Sequence, residues 1–249
     1  MFSVLDMFTI GVGPSSSHTV GPMCAAQAFA SSLEESGAVS RVGRIRVVLY
    51  GSLSLTGLGH GTDRAILAGL EGNVPATVDT DYLLSVRERC AHDGTIHVNG
   101  TNAIAYDDDG DMVFDRWKRL APHPNGMRFQ AFDAQGNIID EQVWYSIGGG
   151  FIRRGRIDDA LISNHEQTPA SSQSPEDSGN DEAAEYGDGV PYPFVSCDGL
   201  IDLCRKHHLS IADVVWANET ARRSPQEVRD RLTRIWNVMS HCIDAGCAS

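Results

Sequence analysis

The chain has 249 residues, 41% hydrophobic and 21% charged, an ordinary balance for a globular protein long enough to bury a core. Its formal net charge of −13 argues against nucleic acid as a partner, because phosphate binding needs a positive field. No apolar run approaches the roughly 20 residues that cross a bilayer. The opening MFSVLDMFTIGVG lacks the basic and continuous apolar parts of a signal peptide, so a cytoplasmic location with no membrane attachment is expected.

Three regions follow one another. The first, 1–155, alternates helix-like and strand-like stretches. Residues 17–36 are rich in Ala, Gln, Phe and Leu and read as a helix closed by Gly37. Residues 44–50, RIRVVLY, alternate and are rich in β-branched side chains, which reads as a strand. A short helix is expected over 62–70, stopped by Gly72 and Pro75. Residues 127–132 and 138–145 read as two strands joined by Asp133, Ala134, Gln135 and Gly136, a hairpin signal. This mixture predicts an α+β fold, a sandwich of helices on a sheet.

The second region, 156–192, is expected to be an acidic flexible linker. Its stretch 164–190 is rich in Ser, Pro, Glu and Asp and holds no Lys or Arg, so it cannot bury enough apolar surface to offset its ordering entropy. The third region, 193–249, reads as a short all-helical segment of three helices. Ser210 can cap one that begins at Ile211, and Ser224, Pro225 and Glu227 suit the cap, first and third positions of another. In that last helix Val228, Leu232, Ile235, Val238, Met239 and Cys242 recur at helical spacing. Three helices with one-sided apolar faces make a weak core alone, and the segment reads as the start of a larger helical domain.

Six cysteines, at 24, 90, 197, 204, 242 and 247, form no C-x-x-C pair. In a reducing cytosol they read as free thiols or small buried hydrophobes, not as metal ligands, although Cys242 and Cys247 have a C-x4-C spacing. Cys197 and Cys204 fall on one face of a helix.

Chemistry concentrates in two segments. In GVGPSSSHTVGPM, 11–23, a loop of Gly, Pro and serines runs into a helix. Unpaired N–H groups and the positive end of the helix dipole, with hydroxyls beside them, suit a small carboxylate or phosphate. His18 at the mouth could donate to that anion or exchange a proton. The structural alternative is that Ser16 or Ser17 only caps the helix, but one serine suffices for a cap. The second segment, YGSLSLTGLGHGTD, 50–63, follows a strand and opens a helix. It lacks the third glycine of a dinucleotide fingerprint and the lysine of a P-loop. His60 and Asp63 are close enough for the carboxylate to orient the imidazole as an acid–base pair; Thr62 or Asp63 capping the next helix is an equal alternative.

Two turn segments, around Asn125 and around Gly148, Gly149 and Gly150, lie next to strands. Asn125 followed by Gly126 predicts a type I′ or left-handed turn, and His207 with His208 reads as a solvated helix end. Only two lysines occur, Lys118 and Lys206, and neither sits in a phosphate cup, so pyridoxal phosphate chemistry is not expected.

The stretches SVLDMFTIGVGPSSSHTVGPM, YGSLSLTGLGHGTDRAILAGL, HPNGMRF, WYSIGGGFI and VPYPF, in that order, resemble the bacterial iron–sulfur L-serine dehydratases. The resemblance implies an L-serine ammonia-lyase that forms pyruvate and ammonia, with a 4Fe-4S cluster acting as a Lewis acid in place of pyridoxal phosphate. It implies an N-terminal β domain covering the active site of a helical α domain that carries the cluster cysteines, and a homodimer. Carried onto this chain, it makes His18, His60 and Asp63 the candidate catalytic residues. Ser15, Ser16, Ser17, Thr19, Thr62 and Asn125 become the candidate substrate-binding residues. None of the six cysteines matches the family's cluster ligands, which are expected beyond residue 249, either lost from a truncated product or supplied by a separate α subunit. A second reading makes the chain a non-catalytic regulatory domain that binds a small amino acid.

Overall fold

The computed structural model describes residues 3–164 and 189–248. The acidic stretch 166–188, and with it most of the expected linker, lies outside the described residues. The chain divides into two compact units, Gly11–Gln167 and a second made of Met1–Ile10 with Thr168–Ser249.

The first unit is built on a mixed sheet of seven strands in the order β2-β3-β1-β6-β7-β8, with β4 also paired to β1. Strand β1 (Arg44–Tyr50) lies at its centre, antiparallel to β6 (Gly126–Phe132) and parallel to β3 (Asn102–Ala105) and β4 (Met112–Asp115). β2 (Thr95–Val98) and β3 form one hairpin; β6 and β7 (Ile138–Gly148) form another, and β8 (Phe151–Arg154) closes that edge. The turn between β6 and β7 is the expected one, with Gly136 at φ 85° and the Asp133 carboxylate accepting from the N–H groups of Gln135 and Asn137. Ile45, Val47 and Leu49 point to one face, as the period-2 alternation requires, and are 1%, 1% and 0% exposed.

Helix α1 (Gly21–Glu35) covers that face, burying Ala25, Ala26, Phe29, Ala30 and Leu33. Phe29 stacks on Phe129 of β6 at 5.3 Å. Helix α3 (Thr62–Leu70) packs along α1, and Gly69 permits the close approach: a Cβ there would collide with the carbonyl of Met23 and lie 2.9 Å from the Ala26 methyl. Two further helices, α2 (Gly51–Thr56) and α4 (Thr80–Asp93), complete this side, and α5 (Asp108–Asp111) is a single turn before β4. On the opposite face Val48, Tyr50, Val143 and Tyr145 form a smaller core with Leu120 of β5 (Lys118–Leu120), which pairs with β9 (Leu161–Ser163). The mixed sheet with helices is the α+β architecture expected.

The second unit holds α6 (Cys197–His207), α7 (Ile211–Thr220) and α8 (Pro225–Ala248). Ser210 caps α7 in a reciprocal capping box with Asp213, and His208 ends α6 in the left-handed conformation at φ 54°. Two neighbouring side chains on α7 hold other parts of the chain. The Asn218 amide pairs with both backbone groups of Tyr192, at 2.9 and 2.8 Å. The Glu219 carboxylate accepts from the Val4 N–H and the Ser3 hydroxyl, each at 2.8 Å, and from Arg223. Among the described residues no helix is long and apolar enough to cross a membrane.

Candidate functional site

Both chemistry-bearing loops lie at one end of the helical layer of the first unit. The first enters helix through a π-helical turn, Ser16–Val20, that runs directly into α1; such turns place side chains where a regular helix would not. Ser15 is the cap, not Ser16 or Ser17: its Oγ accepts the His18 N–H at 3.1 Å and lies 3.4 Å from Ser17 Oγ. Ser16 stays exposed, while Ser15, Ser17 and His18 are half-buried.

The second loop leaves β1 through α2 and a 3-10 turn, Gly57–His60, and Gly61 at φ 64° turns it into α3. This brings His60 against His18, with ring centroids 4.9 Å apart and planes at 42°. His18 is held at both nitrogens, Nδ1 to Ser17 Oγ at 2.9 Å and Nε2 to Ser52 Oγ at 3.1 Å. Burial, and then the neighbouring His60, push the His18 imidazole below its ordinary range. His60 Nδ1 lies 2.9 Å from the Thr56 carbonyl. A carbonyl only accepts, so Nδ1 carries the proton in neutral His60 and Nε2 presents a lone pair.

Asp63 does not orient His60. Asp63 is 3% exposed, its carboxylate turned inward onto Arg87 of α4, which also grips Asp108 through two nitrogens. Thr62 and Asp63 do not cap α3 either, because Gly61 holds that position without a side-chain bond. The Thr19 and Thr62 hydroxyls are buried and donate to backbone carbonyls.

A third segment borders the pair. The Pro124 carbonyl accepts the Ser52 N–H at 2.9 Å, beside Gly51 at φ 56°, where a Cβ would strike that same carbonyl. Asn125 is not in the predicted left-handed turn: the described non-glycine residues with positive φ are Asn99 and His208. Its N–H donates to His123 Nδ1 at 3.1 Å and its amide to the Ser146 carbonyl at 3.2 Å, which hold the segment extended into β6. His123 thus accepts at Nδ1 and, when neutral, donates from Nε2; burial and then Arg153 keep its pKa low. The Ser146 hydroxyl is enclosed, lies against Gly21 at the start of α1, and has no hydrogen-bond partner among the described residues. The glycines that follow it, Gly148, Gly149 and Gly150, have φ of 98°, 61° and 84°, a backbone path closed to other residues without strain.

Ser15, Ser17, His18 and His60 are therefore brought together, with Asn125 on the bordering segment. Ser52 and His123 lie inside the recognised motifs without any spacing that singles them out. A cavity of about 700 Å³ lies elsewhere, at the opposite end of β1, lined in part by Arg44, Arg46, Asp133 and Gly136; it holds none of these residues.

Residues 3–156 match the family described as serine dehydratase beta chain, and the chain belongs to that family. It is 41% identical to an L-serine dehydratase of Streptomyces coelicolor, over 98% of this chain and 49% of that protein. It is 38% identical to L-serine dehydratase 1 of Escherichia coli, over 99% of this chain and 49% of the relative, and 34% identical to an L-serine dehydratase of Helicobacter pylori, over 100% and 49%. The chain spans about half the length of the curated relatives it matches.

Proposed function

We propose that the chain is the substrate-side part of an L-serine ammonia-lyase, turning L-serine into pyruvate and ammonia together with a helical domain or subunit that carries an iron–sulfur cluster. The observation that carries this reading is the pair of half-buried histidines at 4.9 Å, set among the serine hydroxyls of one loop and within reach of solvent. On this reading the expected substrate-side domain 1–155 gives up residues 1–10 to the helical unit, 156–192 is the linker and 193–249 the start of the helical domain.

The first-turn N–H groups and the hydroxyls of Ser15, Ser16 and Ser17 suit the carboxylate of a small amino acid. The lone pair on His60 Nε2 suits removal of the α-proton, and His18, held by Ser17 and Ser52, suits return of a proton. Loss of the α-proton and of the β-hydroxyl as water leaves aminoacrylate. Its imine tautomer takes up water again and releases ammonia, so atoms balance from serine to pyruvate. Among the described residues no group of three or more His, Cys, Asp or Glu converges as a metal-holding set. Cys90 is enclosed in α4, where burial raises its thiol pKa to about 11. On this reading the ligands of the four-iron cluster come from outside this chain.

The test is anaerobic iron–sulfur reconstitution followed by pyruvate formation from L-serine, with and without a separately expressed cluster-bearing helical domain. Pyruvate from the mixture alone, lost in His60→Gln with serine binding retained, is the expected result. Serine binding without pyruvate in any mixture would favour the regulatory amino-acid-binding domain instead.

A further inference from the structure

The two histidine loops come from different parts of the chain, and each is fastened to the other by a threonine. Thr19 Oγ1 donates to the backbone carbonyl of His60 at 2.8 Å. Thr62 Oγ1 donates to the backbone carbonyl of His18. The carbonyl of each histidine is thus gripped by the threonine that follows the other. Thr19 is 1% exposed and Thr62 0%, so both hydroxyls are shut away from any ligand in the cleft.

Neighbouring residues fit this arrangement. Thr19 Oγ1 also accepts the Ser15 N–H at 3.3 Å, which ties the cap of the first loop into the same contact. Gly57 leaves the room that Thr62 needs, since a Cβ there would lie 2.9 Å from Thr62 Oγ1 and 3.1 Å from its Cβ. A single bond between the loops would fix a distance and leave a rotation free. Two crossed bonds fix both, and the β-branched threonine side chains add little rotameric slack.

We propose that Thr19 and Thr62 form a reciprocal clasp that sets the separation and tilt of the His18 and His60 rings, acting as positioning residues for the pair and not as ligands of the substrate. Its importance for turnover rests on the lyase reading above; the clasp itself does not.

The experiment is solution NMR of the 249-residue chain, with five variants: Thr19→Val, Thr62→Val, Thr19→Ser, Thr62→Ser and Gly57→Ala. In the unaltered chain the two threonine hydroxyl protons should exchange slowly enough to be seen, each with a cross-peak to the opposite loop. The His18–His60 ring cross-peak should be present, and His60 should show one tautomer, protonated at Nδ1. Both valine variants and Gly57→Ala should lose the ring cross-peak and mix the His60 tautomers, while both serine variants retain them.

Folded valine variants that keep the cross-peak and the single tautomer would overturn the proposal and leave the threonines a purely structural role. So would the absence of protected hydroxyl protons in the unaltered chain. If the valine variants do not fold, the hydroxyl signals and Gly57→Ala decide the matter. None of these readouts needs serine or turnover, so failure of the lyase reading would show separately, as absent pyruvate with the ring geometry intact. Full pyruvate formation by a variant that has lost the ring cross-peak would refute the positioning role.

Discussion

Arg87 of α4 links two carboxylates of unequal burial, and that inequality predicts an ordered set of stabilities. The Asp63 side chain is 4% exposed and Asp108 26%, with Arg87 itself at 29%. Asp63 Oδ1 is enclosed without a partner, so Arg87 is its sole side-chain counter-charge among the described contacts. Arg87→Met strands a buried carboxylate, which costs about 3–5 kcal/mol. Asp108→Asn leaves Arg87 on Asp63 and loses a partly solvated pair, about 1 kcal/mol or less. Arg87→Met with Asp63→Asn removes the stranded charge and should regain most of the loss. In urea denaturation followed by helical circular dichroism, a slope of about 2 kcal/mol per molar turns these into midpoint shifts of roughly 2 M for Arg87→Met and roughly 0.5 M for Asp108→Asn. An Arg87→Met variant no less stable than Asp108→Asn, or a double variant as unstable as Arg87→Met alone, would show that Arg87 does not offset the buried Asp63 charge.

Phe29→Ala removes a ring with no exposed surface that stacks on Phe129, and should cost about 3–5 kcal/mol in the same denaturation, with a smaller loss for Phe29→Leu. Ser15→Ala deletes the cap acceptor of the His18 N–H, for about 1 kcal/mol, and should speed hydrogen exchange at that amide. His18 and His123 both titrate below their ordinary 6.5 when folded. Between that lowered value and 6.5 the unfolded chain binds more protons, so stability rises with pH across the window, is complete above it, and falls as the pH drops through it. Denaturation midpoints measured from pH 7 downward should show this slope, and His123→Gln should make it shallower; an unchanged slope would contradict the assignment.

Local signals carried much of the fold. The alternation over 44–50 and the helix over 62–70 match β1 and α3 at their bounds, because glycines or turns border both elements. Helix α4 is mostly polar, with Leu83, Val86 and Cys90 as its buried residues, so its periodicity is faint. Its Asp79 cap and Gly94 at φ 64° are the signals that mark it. Pairing of β5 with β9 joins residues more than 40 positions apart in three-residue strands, and nothing local encodes it.

In the site, the serine loop and His60 stood out because several polar residues crowd a helix entrance. Asp63 misled for a physical reason: it lies three positions after His60, yet a helix start turns its side chain toward α4, where a guanidinium 24 positions away satisfies it better. Thr19 and Thr62 look like substrate ligands in sequence because a hydroxyl's partner there is unknown. Only the folded chain shows both turned to carbonyls.

Asn218 and Glu219, adjacent on α7, hold Tyr192 and Val4, residues 188 positions apart. The chain therefore begins in the helical unit, leaves it to build the body Gly11–Gln167, and returns to it. The α+β body is an insertion within a discontinuous helical unit. A fragment cut to start at residue 190 would lack the N-terminal turn Val4–Asp6 that α8 packs against, and Glu219 would lose the Val4 N–H and the Ser3 hydroxyl that satisfy it. Anyone excising the body must cut at both of its ends, and the first ten residues must stay with the helices.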